Sequence, residues 1–214
     1  MLFENVNKIL MIQKITIEGY KSIKEQTVEL FPINILIGGN GIGKSNFISA
    51  FTLIHNLYER NLQNYVLTKG GSDSLLYMGK KETDHLSFDL FFAERGKDAH
   101  NRFIVNMKEA QDSLFIERID TAYHNGVSWH KQLHEVNKQE SSFKNDHTGQ
   151  AFYVNSFLRE FEVYHFHDTG DRSPMKGKCN MDDNVSLKNN GANIAAFLYL
   201  SLIHISEPTR RSYI

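Results

Sequence analysis

The chain has 214 residues, of which 41% are hydrophobic and 23% charged, with one cysteine, one tryptophan and a formal net charge of -1. The apolar share supports a packed core and excludes wholesale disorder, while near-neutrality excludes a global basic field, so any contact with nucleic acid or anionic lipid must be local. The lone Cys179 excludes an internal disulfide, no charged-then-apolar leader opens the chain, and no apolar run approaches the roughly 20 residues of a membrane span; these point to a reducing cytoplasm and no membrane partner.

Residues 1–10 have no clear role and are set aside as an uncertain extension, because Met11 begins MIQKITIEGYKSI, a natural opening for a first strand. Ile15 and Ile17 alternate with Lys14, Thr16 and Glu18, and Val28 and Leu30 alternate with Thr27 and Glu29. This period of two predicts a pair of antiparallel strands, joined by Gly19 to Glu25. After Pro32, the nearly continuous apolar run Ile33 to Ile37 predicts a strand covered on both faces, as in an α/β core. It ends in glycine. From Ser45, the positions Phe47, Phe51, Ile54 and Tyr58, with Ala50 and Leu57 beside them, recur at helical spacing.

From Leu86 the texture changes: Leu86, Phe88, Leu90 and Phe92 alternate, and short apolar stretches follow at Phe103 to Val105, Leu114 to Ile116 and Val127 to Trp129. With Asn125-Gly126 as a hairpin turn, these predict an antiparallel meander. His130 to Gln150 is polar and weakly patterned, and is expected to be an exposed loop with some helix. Ala151 to Phe161 is expected to be helical, Glu162 to His167 a strand, and Asn193 to Tyr199 the start of a further helix. The aromatic set Phe88, Phe91, Phe92, Phe103 and Phe115 could stack on bases, but its alternation favours core packing.

The glycine cluster GGNGIGKS, Gly38 to Ser45, satisfies G-x-x-x-x-G-K-[ST] through Gly38, Gly43, Lys44 and Ser45. An apolar run precedes it and an amphipathic helix follows, the context this motif requires. Such a loop must hold a polyanion without closing off chemistry. The backbone amides from Asn40 to Ser45, with Gly41, Ile42 and Gly43 between, are therefore expected to point at phosphate oxygens, and glycines permit the close approach. The helix N-terminus adds partial positive charge, Lys44 adds a full charge toward the β and γ phosphates as the catalytic residue, and Ser45 is expected to ligate Mg2+. ATP and Mg2+ are the implied cofactors.

ITIEGYKSIKEQTVEL followed by INILIGGNGIGKSNFISAF resembles the N-terminal lobe of ABC-type ATPases of the RecF, SMC and overcoming-lysogenisation-defect group. The form GNGxGKSN, which includes Asn46, is more specific than a bare P-loop. GGSDSLLYMGKK from Gly70, the phenylalanine-rich meander and VYHFHDTGDRSPMK from Val163 resemble the bacterial AAA-labelled predicted ATPases with ABC-like heads. The resemblance implies an α/β P-loop NTPase with an ABC-ATPase-like head, represented here by a truncated N-terminal lobe with an antiparallel β meander over residues 11–199. One departure is Ile42, where serine or alanine is commoner. In that group two heads sandwich ATP, so the resemblance implies a homodimer of heads and a possible DNA or effector protein partner. It also implies a role in DNA maintenance or phage defence. Lys21 and Ser22 match a basic-serine step that lies near the nucleotide in related heads, although an exposed turn is an equal alternative.

The partner motifs of that group, an Asp-Glu pair ending a buried strand and a serine-glycine signature, are not visible: FIERID lacks adjacent carboxylates after an apolar run, and VYHFHD is too polar. The stretch LSLIHISEPTR, Leu200 to Arg210, reads as the translation of a transposon-end sequencing adapter. Residues 200–214 are accordingly expected to be a non-native tail, and the missing motifs to lie beyond it. His165 and His167 would share one strand face beside Asp168, which permits a metal site but fits a lobe-joining segment better. The readings carried forward are an ATPase that switches head dimerisation, a nucleotide-dependent sensor for a nuclease or toxin partner with little turnover, and, least favoured, a small-molecule kinase.

Overall fold

The computed structural model describes residues 10–94, 100–159, 161–164, 166, 170 and 173–206. The chain divides into two compact units, Met1–Phe161 and Glu162–Ile214.

In the first unit, β1 (Leu10–Tyr20), β2 (Ile23–Glu29), β3 (His85–Glu94), β4 (His100–Ala110), β5 (Ser113–His124) and β6 (Trp129–Lys138) form one antiparallel sheet in the order β2-β1-β3-β4-β5-β6. Three helices, α1 (Lys44–Tyr58), α2 (Leu62–Thr68) and α3 (Gly149–Leu158), complete the unit. The alternation read from the sequence sorts one face of the sheet into the core. Ile15, Ile17, Phe88, Leu90, Phe103, Val105, Leu114 and Ile116 are all fully buried, in one cluster with Leu53, Ile54 and Leu57 of α1, Val66 of α2 and Val154 of α3. Each such side chain contributes about 1.5–3 kcal/mol by leaving water.

The β1–β2 connection is tighter than the expected Gly19 to Glu25 loop: pairing runs to Tyr20↔Ile23, leaving Lys21 and Ser22 as the turn, with Lys21 at φ 49. This turn is clamped by the segment after α2, because the Lys21 amide donates to the Leu75 carbonyl and the Tyr77 amide to the Gly19 carbonyl, each at 2.9 Å. Gly19 cannot carry a side chain there, since a Cβ would sit 2.4 Å from the His85 carbonyl oxygen. The Asn125-Gly126 turn forms as expected; Asn125 Oδ1 accepts from the amides of Val127 and Ser128, both at 3.0 Å.

Three expectations are corrected. Ile33 to Ile37 forms no strand: Ile33 lies in a bend, residues 34–37 pair with no strand, and Ile33, Ile35 and Ile37 are 82%, 78% and 86% exposed. An apolar run becomes a buried strand only when strands flank it and elements cover both faces, and no described strand lies alongside it. The polar stretch from His130 is not a loop but most of β6, followed by a short 3-10 turn at Phe143–Asn145 and the start of α3. Its inward side chains are polar yet buried because they find partners. His134 bonds Thr121 Oγ1 through Nε2 at 2.8 Å and Asp146 through Nδ1 at 2.7 Å, while the Glu140 carboxylate accepts from the amides of Leu62 and Gln63 and so caps α2. Residues 162–164 and 166 are not in a strand, and His165, His167 and Asp168 lie outside the described residues.

In the second unit, the buried Asn193 organises the turns before α4 (Ile194–Ser206): its amide nitrogen donates to the carbonyls of Asp183 and Ser186 at 2.8 Å, and its oxygen accepts from the Lys188 amide at 2.8 Å. α4 runs through the expected boundary at residue 199, and Cys179 is half-buried with a free thiol. Among the described residues no helix is long and apolar enough to cross a membrane.

Candidate functional site

The glycine loop ends where α1 begins. Gly43 is the N-cap residue of α1 at φ 100, ψ 0, a left-handed conformation that glycine adopts without the Cβ clash other residues suffer. The chain therefore reverses into the helix within one residue, and the amides of Lys44, Ser45 and Asn46 become first-turn donors that no intrahelical carbonyl reaches. No side chain caps this terminus, and the first turn holds no acidic residue. The positive end of the helix dipole faces outward uncompensated.

Lys44 folds back over the loop. Its ammonium donates to the carbonyls of Gly38 at 2.6 Å and Gly39 at 2.5 Å. It thus supplies the cation the motif predicts and holds it inside the curve of the loop. Asn40, Gly41 and Ile42 are exposed, Gly41 has φ 85, and Ser45 is exposed on the first turn. Gly38 faces the Ile42 side chain, whose Cδ1 would lie 2.1 Å from an added Cβ.

Lys21 and Ser22 stand next to this loop. Asn46 Nδ2 donates to Ser22 Oγ at 2.8 Å, and a Cβ on Gly43 would lie 3.3 Å from that same oxygen. Ser49, one turn further along α1, is the residue that sequence reasoning missed. Its hydroxyl donates to the Asn46 carbonyl at 2.9 Å and accepts from Lys21 Nζ at 2.9 Å and Tyr20 OH at 3.0 Å, using every valence the group has. The spacing Ser45-Ser49 was the available signal, since residues four apart share a helix face. Burial first, then the nearby Lys69, pushes the Lys21 ammonium below its ordinary pKa. Burial, reinforced by Tyr65, pushes the Tyr20 phenol well above its ordinary range, so it remains a neutral donor.

A cleft of about 370 Å³ opens between β2 and the loop, lined by Ser22, Ile23, Lys24, Val28, Leu36, Ile42, Gly43, Lys44 and Phe47 among others. Ile23, Val28 and Phe47 give it apolar lining and Lys24 and Lys44 cations, while Glu25 of β2 adds a carboxylate. Of the expected site residues, Gly38, Gly39, Gly43, Lys44, Asn46, Lys21 and Ser22 are brought together; Asn40, Gly41, Ile42 and Ser45 form the open rim. Among the described residues no group of three or more His, Cys, Asp or Glu could hold a metal ion.

The aromatic set divides. Phe88, Phe92 and Phe103 are buried in the core as expected, whereas Phe91 and Phe115 lie on the opposite sheet face, partly exposed.

No curated protein matches the chain. A family model described as AAA ATPase domain (AAA_15) matches residues 11–195, from the first strand past the glycine loop and the meander into α4. The chain belongs to this AAA ATPase domain family.

Proposed function

We propose that the chain binds ATP with Mg2+ at the Gly38–Asn46 loop and, within its intact protein, hydrolyses it. One observation carries the reading: a left-handed Gly43 turns the loop straight into α1, so first-turn amides and the Lys44 ammonium converge on one concave surface. That donor set fits a polyphosphate, which needs several N–H groups and a cation in a small space. For Mg2+, the exposed Ser45 hydroxyl is the one first-turn oxygen suited to the task, and this suffices because Mg2+ keeps most of its ligands as water and phosphate oxygens. When bound, the ion neutralises charge that develops on the phosphates.

The residues of the chain divide the remaining work. Lys44 would exchange its two carbonyl partners, Gly38 and Gly39, for phosphate oxygens. Asn46 and Ser49 hold the Lys21-Ser22 turn against the loop, which fixes the near wall of the cleft. The half-buried Lys21 ammonium gains from an anion beside it, because its charge is the form that burial disfavours.

The finer reading extends the same site. The GYKSI and GNGIGKSN elements support an ABC-like head in which a second copy closes over the nucleotide, with hydrolysis coupled to DNA or to an effector protein. Cytoplasmic residence follows the same expectation.

The test is MgATP binding to the purified chain by isothermal titration, with Lys44→Ala as the comparison. Charge-assisted hydrogen bonds contribute about 1.5–3 kcal/mol each, less about 1 kcal/mol for the carbonyl bonds surrendered, so the variant is expected to bind roughly 2- to 30-fold more weakly. Its urea midpoint should barely move, because the ammonium caps an exposed loop. Equal ATP affinity for the two proteins refutes the proposal.

A further inference from the structure

The segment between β2 and the glycine loop presents an apolar patch to solvent. Phe31, Ile33, Ile35, Leu36 and Ile37 are 65%, 82%, 78%, 44% and 86% exposed, and of these only Leu36 lines the cleft beside Lys44. Single exposed apolar side chains are ordinary, but five within seven consecutive residues form a patch of the kind that marks an interaction site. The main chain is open as well. Among the described residues, no hydrogen bond engages a backbone amide or carbonyl of residues 33–37. The Asn34 carboxamide is taken up by the turn before them, accepting from the Phe31 amide at 3.0 Å and donating to the Phe31 carbonyl at 2.6 Å.

These residues are suited to pairing with another strand. None of residues 33–37 has a positive φ, and the β-branched isoleucines favour strand geometry. An apolar run with free amides and carbonyls adds to another chain edge to edge, and native edges carry charges that prevent this. The edges of the six-stranded sheet do so: β2 presents exposed Lys24, Glu25 and Glu29, and β6 presents exposed Lys131 and Lys138. The segment before the glycine loop has no such protection. From Leu30 to Gly43 the chain holds no Lys, Arg, His, Asp or Glu, and Pro32 stands before the isoleucines, not among them.

We propose that residues 33–37 are a self-association edge, and that its occupant is the same segment of a second copy, paired antiparallel about a twofold axis through Ile35. The run is its own complement. In that register Ile35 meets Ile35 and Ile33 meets Ile37, so every isoleucine gains a β-branched cross-strand neighbour and no charge faces a like charge. Asn34 falls opposite Leu36, with its carboxamide already satisfied within its own chain.

The area sets the strength of the pair. The five exposures amount to about three and a half whole side chains, which is roughly 200–400 Å² of apolar surface per copy. A stable dimer needs about 800 Å² per partner. The pair is therefore weak and reversible, held by main-chain hydrogen bonds as well as by the isoleucines, and it forms as concentration rises. It needs no nucleotide, which separates it from a second copy closing over bound ATP.

Sedimentation velocity of the nucleotide-free full chain, from about 5 to 500 µM, should show a monomer passing reversibly toward a dimer. Ile35→Lys sets two ammonium groups against each other at the twofold axis and should weaken association at least about tenfold. Circular dichroism should show its fold intact, because Ile35 is no part of the core. Val127→Lys, the same change at an exposed hairpin residue, should leave association unchanged. Disulfide trapping reads the register in a Cys179→Ser background. Ile35→Cys should cross-link on mild oxidation, since directly opposed residues lie about 4.5–5.5 Å apart. Ile33→Cys should not cross-link to itself, because the two copies of that position lie roughly 13 Å apart along the strands. A monomer at every concentration overturns the proposal, as does association that Ile35→Lys leaves unchanged. Equal cross-linking of Ile33→Cys and Ile35→Cys refutes the antiparallel register, and a series of species beyond the dimer refutes the closed twofold pair.

Discussion

A methyl group added at Gly43 tests the link between the glycine loop and the β1–β2 turn. Gly43 has φ 100, so Gly43→Ala forces a left-handed conformation on a residue with a Cβ, at a cost of about 1–2 kcal/mol. The new Cβ would also stand 3.3 Å from Ser22 Oγ, close enough that the serine must give way and its bond from Asn46 Nδ2 lengthens. Losing that exposed bond costs about 0.5–1 kcal/mol. The total is about 1.5–3 kcal/mol, roughly a 1 M fall in urea midpoint for an m value near 2 kcal/mol/M. Ser22→Ala removes the oxygen and should by itself cost about 0.5–1 kcal/mol. In the double variant the Cβ meets nothing, so the two costs should fall short of additivity by about 0.5–1 kcal/mol, above the few tenths expected of independent sites. Gly41→Ala is the internal comparison: φ 85, with open space around the added Cβ, so it should show the backbone cost and no coupling to Ser22. Urea unfolding of the four-protein cycle, followed by Trp129 emission, reads the coupling. Strict additivity of Gly43→Ala and Ser22→Ala would show that the turn does not bear on the loop.

Other consequences follow from the polar contacts behind the sheet. Burial works to raise the Asp146 pKa, but hydrogen bonds from Thr148 and from His134 outweigh it and hold the carboxyl below its ordinary value. A depressed folded pKa means stability that is present above the unfolded value of about 3.9 and is lost as pH falls through the lower folded value. Asp146→Asn should therefore narrow the stability difference between pH 6 and pH 3, as measured by urea midpoints; an unchanged difference would remove Asp146 from the acid response. Glu140→Ala uncaps α2 by freeing the amides of Leu62 and Gln63, and should cost about 1–2 kcal/mol by urea unfolding. A value near zero would mean water replaces the carboxylate fully.

Much of this molecule was legible in the residues because its signals are local. Alternation of Ile15 with Thr16 and of Phe88 with Asp89 marked strands whose buried faces the sheet reproduces. The spacing of Gly43, Lys44 and Ser45 before an amphipathic run placed a helix start near Lys44, where α1 begins. Such features depend on backbone sterics and on side-chain period, which a short segment carries by itself.

Tertiary structure alone decided the rest. The run Ile33 to Ile37 has the composition of a buried strand, yet burial is a property of neighbours, and without a flanking described strand its side chains face solvent. His134 and Glu135 look like surface residues in a polar stretch; partners distant in sequence, Thr121, Asp146 and Ser142, make their burial affordable. Phe91 has the same composition signal as Phe92, but the pleat sends one ring to the outer sheet face and the other to the core. Ser49 drew no notice as one more serine on a helix until the clamped Lys21 turn brought an ammonium and a phenol to its hydroxyl. In each case the sequence set what a residue could do, and the registration of strands and helices set which partners it met, because contacts between distant segments exist only once the sheet has paired.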